Sequence, residues 1–277
     1  MSHPGTGTAA ARGFATGAGH TVPPPAGHSP ASPSTTGAGA GAGTSTSTEA
    51  APHAVPSEWR ADPYTHALTS GHGPLFLKGT DGERLPLGVE RWCGTPDAAD
   101  RTVVGRCEGA VLDIGCGPGR FVIALALAGH RTLGIDVNRA AVRRTVRQGG
   151  PALVRSVFDP VPREGRWNTA LLVDGNIGIG GDPATLLARA AEILVPGGLL
   201  VVEVAARDID ERLEVRFDTG RSRTAEGEAF PWARLGTRAL LRHAGTAGDW
   251  AGRETWDHAG RAFVALRSRT RPAPSSW

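Results

Sequence analysis

The chain has 277 residues, enough for one large domain or two small ones, with 30 basic and 27 acidic side chains and a formal net charge of +3. No apolar run reaches the ~18 residues of a membrane helix and no apolar stretch behind a positive start marks a secretory leader, so the expectation is a cytoplasmic protein with no membrane partner. All but one of the basic residues are arginine, Lys78 being the single lysine, and so small a net charge gives no support to a nucleic-acid partner.

Of the first 56 residues, 46 are Gly, Ala, Ser, Thr or Pro, and only Arg12 and Glu49 are charged. Such a stretch cannot bury enough apolar surface to offset the entropy of ordering it, so residues 1–56 read as a disordered low-complexity tail. Its histidines, His3, His20, His28 and His53, lack metal-ligand spacing. Cys93, Cys107 and Cys116 are odd in number and form no C-x-x-C pair, which argues for a reducing compartment and against a metal centre. Residues 57–94 are aromatic and polar, broken by Gly and Pro, and read as an N-terminal cap before a main domain over 95–270.

Thr95 and Pro96 suggest a cap and first-turn proline for a helix running to about Cys107. Ala110 to Ile114 is a short apolar strand, followed by a glycine turn and a helix from Phe121 to Ala128. Thr132 to Val137 is the next strand, Asn138 caps the helix after it, and Ala152 to Phe158 and Asn168 to Val173 are two more strands. Asp182 with Pro183 opens a helix that a Pro-Gly-Gly turn at 196–198 closes, and Leu199 to Val204 is a buried strand. Glu211 to Thr219 alternates with period two as one arm of an inserted hairpin, while Trp232 to Ala244 reads as helical. Trp250 to Trp256 and Arg261 to Arg267 are joined by so short a turn that they must pair antiparallel. The expected fold is α/β: a Rossmann-like, doubly wound, mostly parallel seven-stranded sheet with an antiparallel C-terminal strand, plus the cap and tail.

The most informative segment is VLDIGCGPG at 111–119. Gly115, Gly117 and Gly119, at spacing two between a strand and a helix, let the backbone approach a ligand while the helix start presents free N–H groups. A dinucleotide fingerprint needs a third glycine at position 120, where this chain has Arg120. Asp136 ends the second strand 17 residues beyond Gly119, where an acid can accept hydrogen bonds from ribose hydroxyls. Asp113 and Asp136 should then lie side by side at the carboxyl edge of the sheet.

These residues resemble the class I S-adenosylmethionine-dependent methyltransferases, particularly the small-molecule group typical of actinobacteria. LDIGCGPG is similar to their first motif, GIDVN at 134–138 to the second-strand acid motif, and LVPGGLLVVEV at 194–204 to the turn and strand that close the sheet. The resemblance covers roughly residues 95–205 and implies S-adenosyl-L-methionine as cofactor. It further implies that Asp113, Gly115 and Gly117 hold the amino-acid end, with Cys116 and Gly119 in the same turn, and that Asp136, next to Val137, binds the ribose. Phe158 and Asp159 would flank the adenine, and Asp174 would face the transferable methyl group. The Asn/Asp-Pro-Pro-Tyr/Phe signature of adenine and glutamine methylation is missing, since the corresponding loop reads DGNIGIGGDP.

Acceptor contacts are expected from Tyr64, His66 and Asn176, and base assistance from Asp174 or His72. The function so implied is methyl transfer to an O, N or C nucleophile of a small metabolite by a monomer or homodimer that uses no metal. A non-catalytic S-adenosylmethionine-binding protein is one alternative. A nicotinamide-dependent oxidoreductase is another, disfavoured by Arg120.

Overall fold

The fold is described from a computed structural model, which covers residues 62–221, 226–247 and 249–269. The expected 1–56 tail lies outside the described residues.

In chain order the elements are α1 (Asp62–Ser70), β1 (Phe76–Gly79), β2 (Arg84–Pro86), α2 (Val89–Cys93), α3 (Ala98–Val104), β3 (Val111–Ile114), α4 (Arg120–Leu127), β4 (Thr132–Asp136) and α5 (Arg139–Arg147). Then follow β5 (Ala152–Val154), β6 (Trp167–Leu172), a 3-10 turn (Asn176–Gly178), α6 (Pro183–Ile193), β7 (Leu194–Val204), β8 (Asp210–Asp218), β9 (Glu226–Leu235), α7 (Thr237–Ala247), β10 (Trp250–His258) and β11 (Arg261–Ser268).

Seven strands form one sheet in the order β10-β11-β7-β6-β3-β4-β5. The pairs β3/β4, β3/β6, β4/β5 and β6/β7 are parallel, whereas β11 runs antiparallel to β7 and β10 antiparallel to β11. The α/β fold with its parallel centre and antiparallel C-terminal strands is therefore the one the sequence implies. Successive residues of the central strands point to opposite faces and both faces are covered. Leu112, Ala170, Leu200 and Val264 pack with Leu186 and Leu187 of α6 and Leu240 of α7. Val111, Leu171, Val201 and Phe263 pack with Val103 of α3 and Phe121 and Leu125 of α4. Burial on both sides is why these strands read as continuous apolar runs.

The second sheet is a four-stranded antiparallel one in the order β2-β1-β8-β9. Its apolar face, including Leu77, Val215, Phe217 and Phe230, packs with Tyr64 and Leu68 of α1 and Val89 of α2. The expected hairpin arm at Glu211 to Thr219 is thus part of a sheet that also takes strands from the cap.

Several local expectations need correction. The helix placed from Thr95 and Pro96 starts at Ala98, because Asp97 and Asp100 cap it reciprocally through each other's backbone N–H groups, at 2.7 and 3.0 Å. The strand expected over Ala152 to Phe158 stops at Val154, since Ser156 turns the chain by accepting the N–H of Phe158 on its hydroxyl and that of Asp159 on its carbonyl. Trp232 lies on β9 opposite Leu213, and the helix expected from there begins only at Thr237. Long-range pairing with β8 overrides the helical pattern of that segment. The Pro-Gly-Gly segment bulges within β7, whose register against β6 jumps from Leu194 to Leu199.

Candidate functional site

The strand order reverses at β3: the chain runs outward through β4 and β5 and then returns to β6 on the other side of β3. Open α/β sheets bind ligands in the crevice at such a switch point, beyond the carboxyl ends of the strands. Asp113, Asp136 and Asp174 all come from the ends of these strands.

The glycine turn is pinned to β4 by the N–H groups of Gly115 and Cys116, which both donate to the Ile135 carbonyl at 2.8 and 3.0 Å. Its three glycines do different jobs. A β-carbon on Gly115 would lie 2.6 Å from Asn176 Nδ2, and one on Gly119 2.6 Å from Thr145 Oγ1, so both are needed for packing. One on Gly117, whose φ is +53°, would meet nothing nearer than the Tyr64 hydroxyl at 4.0 Å. The middle glycine therefore opens onto free space that a side chain would fill.

Asp136 fixes this loop. Its Oδ2 accepts the Gly117 N–H and its Oδ1 the Asn138 N–H, each at 2.8 Å, and burial pushes its carboxyl up to about 6 against the pull of those backbone groups. Asp113 is 1% exposed and its Oδ1 has no hydrogen-bond partner among the described residues. Burial, with the neighbouring charges of Asp174 and Asp136, pushes its carboxyl up to about 7 against the attraction of Arg120. A buried acceptor left unmatched is costly unless a ligand donates to it. Cys116 is buried too, and burial raises its thiol well above the ordinary range, which leaves it unreactive.

Asp174 follows β6 in a left-handed conformation, φ 59°, and its N–H donates to Glu203 Oε2 at 2.7 Å. Its carboxylate is shared by three guanidinium groups: Arg91 at 3.0 Å, Arg261 at 3.4 Å, and Arg120. Arg120 also pairs with the fully buried Asp100, and Arg261 binds Asp100 and Glu203 at 2.7 Å each. This network ties the cap, through Arg91 on α2, to α3, α4, β7 and β11. None of it apart from Asp174 was expected, because its partners lie as far as 161 positions apart in the chain.

A cleft of about 540 Å³, within the usual range for small-molecule sites, is lined by Asp113, Gly115, Cys116, Gly117, Asp174 and Asn176 on one side and by Tyr64 from the cap on the other. Trp92, Trp232, Leu77 and Leu87 also line it and were not anticipated. Gly119 and Asp136 stand behind the turn. Val137, Phe158 and Asp159 are outside the lining and half-buried, and His66 and His72 are outside it and exposed. Asn176 uses its side-chain amide to donate to the carbonyls of Ile114 and Gly115, at 2.9 and 3.0 Å.

A doubly wound sheet with a glycine turn and strand-end acids at its switch point defines a nucleoside-cofactor enzyme of the Rossmann-like class. The profile of the methyltransferase domain family matches residues 95–259, and the chain belongs to that family. Among solved structures, a SAM-dependent methyltransferase from Bacteroides fragilis in complex with S-adenosyl-L-homocysteine shares the fold with a TM-score of 0.63 at 16% identity, covering 78% of this chain and 97% of that one. A SAM-dependent methyltransferase from Methanosarcina mazei is 17% identical with a TM-score of 0.49, over 64% of this chain and 100% of that one. The CcbJ methyltransferase from Streptomyces caelestis is 18% identical with a TM-score of 0.47, over 65% and 92% of the respective chains.

Proposed function

We propose that the protein transfers a methyl group from S-adenosylmethionine to an oxygen, nitrogen or carbon nucleophile of a small molecule in the cytoplasm, a compartment for which its free thiols argue. The observation that carries this reading is the pairing of an open Gly117 with the unmatched Asp113 Oδ1 in one cleft. That donor and acceptor set fits the cofactor's amino-acid end: Asp113 takes its ammonium group, and the backbone of Gly115 and Gly117 lies against it. Asp136, beside Val137, is assigned to the ribose through the lone pairs that Gly117 and Asn138 leave over. Phe158 and Asp159 are assigned to the adenine.

When bound, the cofactor supplies an electrophilic methyl group on a sulfonium. The chain's own contribution is alignment and exclusion of water, with the acceptor held by Tyr64, Asn176 and the cap against the end of β6. Asp174 supplies negative charge there, and its engagement by three arginines leaves it little capacity to take up a proton. Base assistance from Asp174 or His72 is modest in this reading, and His66 lies at the outer surface of α1. The domain doing this work is assigned to residues 95–270, with 57–94 as its cap.

Calorimetric titration with S-adenosylmethionine and, separately, with NAD tests the reading. Heat of binding with the first and none with the second is expected. NAD binding without a response to S-adenosylmethionine overturns it.

A further inference from the structure

The cleft has two chemically different walls. Its charged lining residues, Asp113, Arg120 and Asp174, all come from the seven-stranded sheet and α4. The opposite wall, contributed by the cap and the four-stranded sheet, consists of Tyr64, Leu77, Leu87, Trp92 and Trp232 and carries no charge. Its aromatic members belong to one continuous arc. Trp92 lies 6.3 Å from Tyr64, Tyr64 stacks on Phe217 at 5.4 Å, Phe217 meets Phe230 at 5.4 Å, and Phe230 meets Trp232 edge-on at 6.4 Å. Both ends of the arc and Tyr64 face the cleft.

One polar atom in this wall stands out. The indole Nε1 of Trp92 is buried and has no hydrogen-bond partner among the described residues. An indole N–H is a donor only, so what it lacks is an acceptor. Of the side-chain atoms left unmatched in this way, those of Asp113 and Arg120 lie on the charged wall of the same cleft, and the Trp92 atom alone lies on the apolar wall. A sugar would present hydroxyls that this wall cannot satisfy, a phosphate would meet no cation on it, and an aliphatic amine would gain no partner from a donor. A flat ring would match the arc, and one acceptor atom on it would satisfy Trp92.

We infer that the methyl acceptor is a planar, uncharged aromatic or conjugated ring compound bearing a ring nitrogen or carbonyl oxygen that accepts the Trp92 N–H, which makes Trp92 a specificity-determining residue. This inference rests on the methyltransferase reading above and narrows its substrate class.

The test uses the full chain saturated with S-adenosylhomocysteine and three probes in equilibrium dialysis: quinoline, naphthalene of the same shape without an acceptor, and 1,4-diaminobutane. Quinoline should bind more tightly than naphthalene by about three- to tenfold, the worth of one net hydrogen bond, although naphthalene is the more hydrophobic. The diamine should bind more weakly than either. In Trp92→Phe the preference for quinoline should vanish while affinity for S-adenosylhomocysteine is kept. Naphthalene binding as tightly as quinoline to the parent protein overturns the inference whether or not the variant folds. So does a diamine that binds best, or a quinoline preference that survives in a folded Trp92→Phe. Failure to load S-adenosylhomocysteine is a separate outcome, which overturns the methyltransferase reading and the inference with it.

Discussion

Asp136 holds Gly117 from one strand away: its Oδ2 accepts the glycine's N–H at 2.8 Å, so the acid at the end of β4 sets the shape of the turn that follows β3. The same carboxylate accepts the Asn138 N–H, and Asn138 in turn caps α5. One side chain thereby couples a binding loop, a strand end and a helix start.

Asp136→Ala is expected to act on stability as well as binding. It leaves two buried N–H groups without their acceptor, each costing roughly 1 to 3 kcal/mol, and it removes the acceptor assigned to the ribose. Thermal unfolding should shift down by several degrees, and calorimetry should show S-adenosylmethionine affinity reduced by about tenfold or more. An unchanged dissociation constant would place the ribose elsewhere.

Asp113 sets a pH dependence. Its folded-state value of about 7 lies above the ordinary carboxyl range, so below about pH 7 the free protein holds a proton there that an incoming ammonium group must displace. Affinity for S-adenosylhomocysteine should fall roughly tenfold between about pH 8 and about pH 6, and Asp113→Asn should flatten that slope. The sign for stability is opposite. The folded form binds more protons than the unfolded between about pH 4 and 7, so the cofactor-free protein should lose stability as pH rises through that window. Affinity in the parent protein that is level across the range would remove Asp113 from the ammonium site.

Arg120→Ala should destabilise strongly, because it strips the buried Asp100 of one partner and Asp174 of another. Breaking a buried pair from one side costs about 3 to 5 kcal/mol, or roughly 6 to 20 °C in a domain of this size. A thermal scan showing a shift under about 3 °C would mean that Arg261 and Arg91 carry the network alone.

That arginine also marks the limit of what the sequence makes legible. The β3-turn-α4 unit, β4 with its Asp136, and the helices capped by Asn138 and Asp182 are local patterns written within a few residues of one another, and they stand where they were expected. Arg120 could be read only as the wrong residue for a third glycine, since its partners Asp100 and Asp174 become neighbours only after the sheet is assembled. The four-stranded sheet is hidden for the same reason. Phe76 pairs with Asp218 and Leu77 with Phe217 across some 140 residues, and no local periodicity marks such a partnership. Trp92 and Trp232 thus look unremarkable in sequence and meet in one cleft only because β1, β8 and β9 bring the cap to the acid end of the sheet. Asp113, Gly117 and Tyr64 are brought together as anticipated, whereas His66 and His72 lie on the exposed outside of the cap.

The most direct measurement of the central claim is calorimetric titration of Gly117→Val with S-adenosylhomocysteine, beside circular dichroism of the same sample. A side chain at this position meets no protein atom within about 4 Å, so the fold should bear only the strain of a positive φ, about 1 to 2 kcal/mol. The added atoms project into the cleft where the backbone must meet the cofactor. An unchanged dichroism spectrum with no measurable heat of binding is the predicted result. A folded valine variant that binds within about threefold of the parent would contradict the account, because the glycine turn would then be a turn and nothing more.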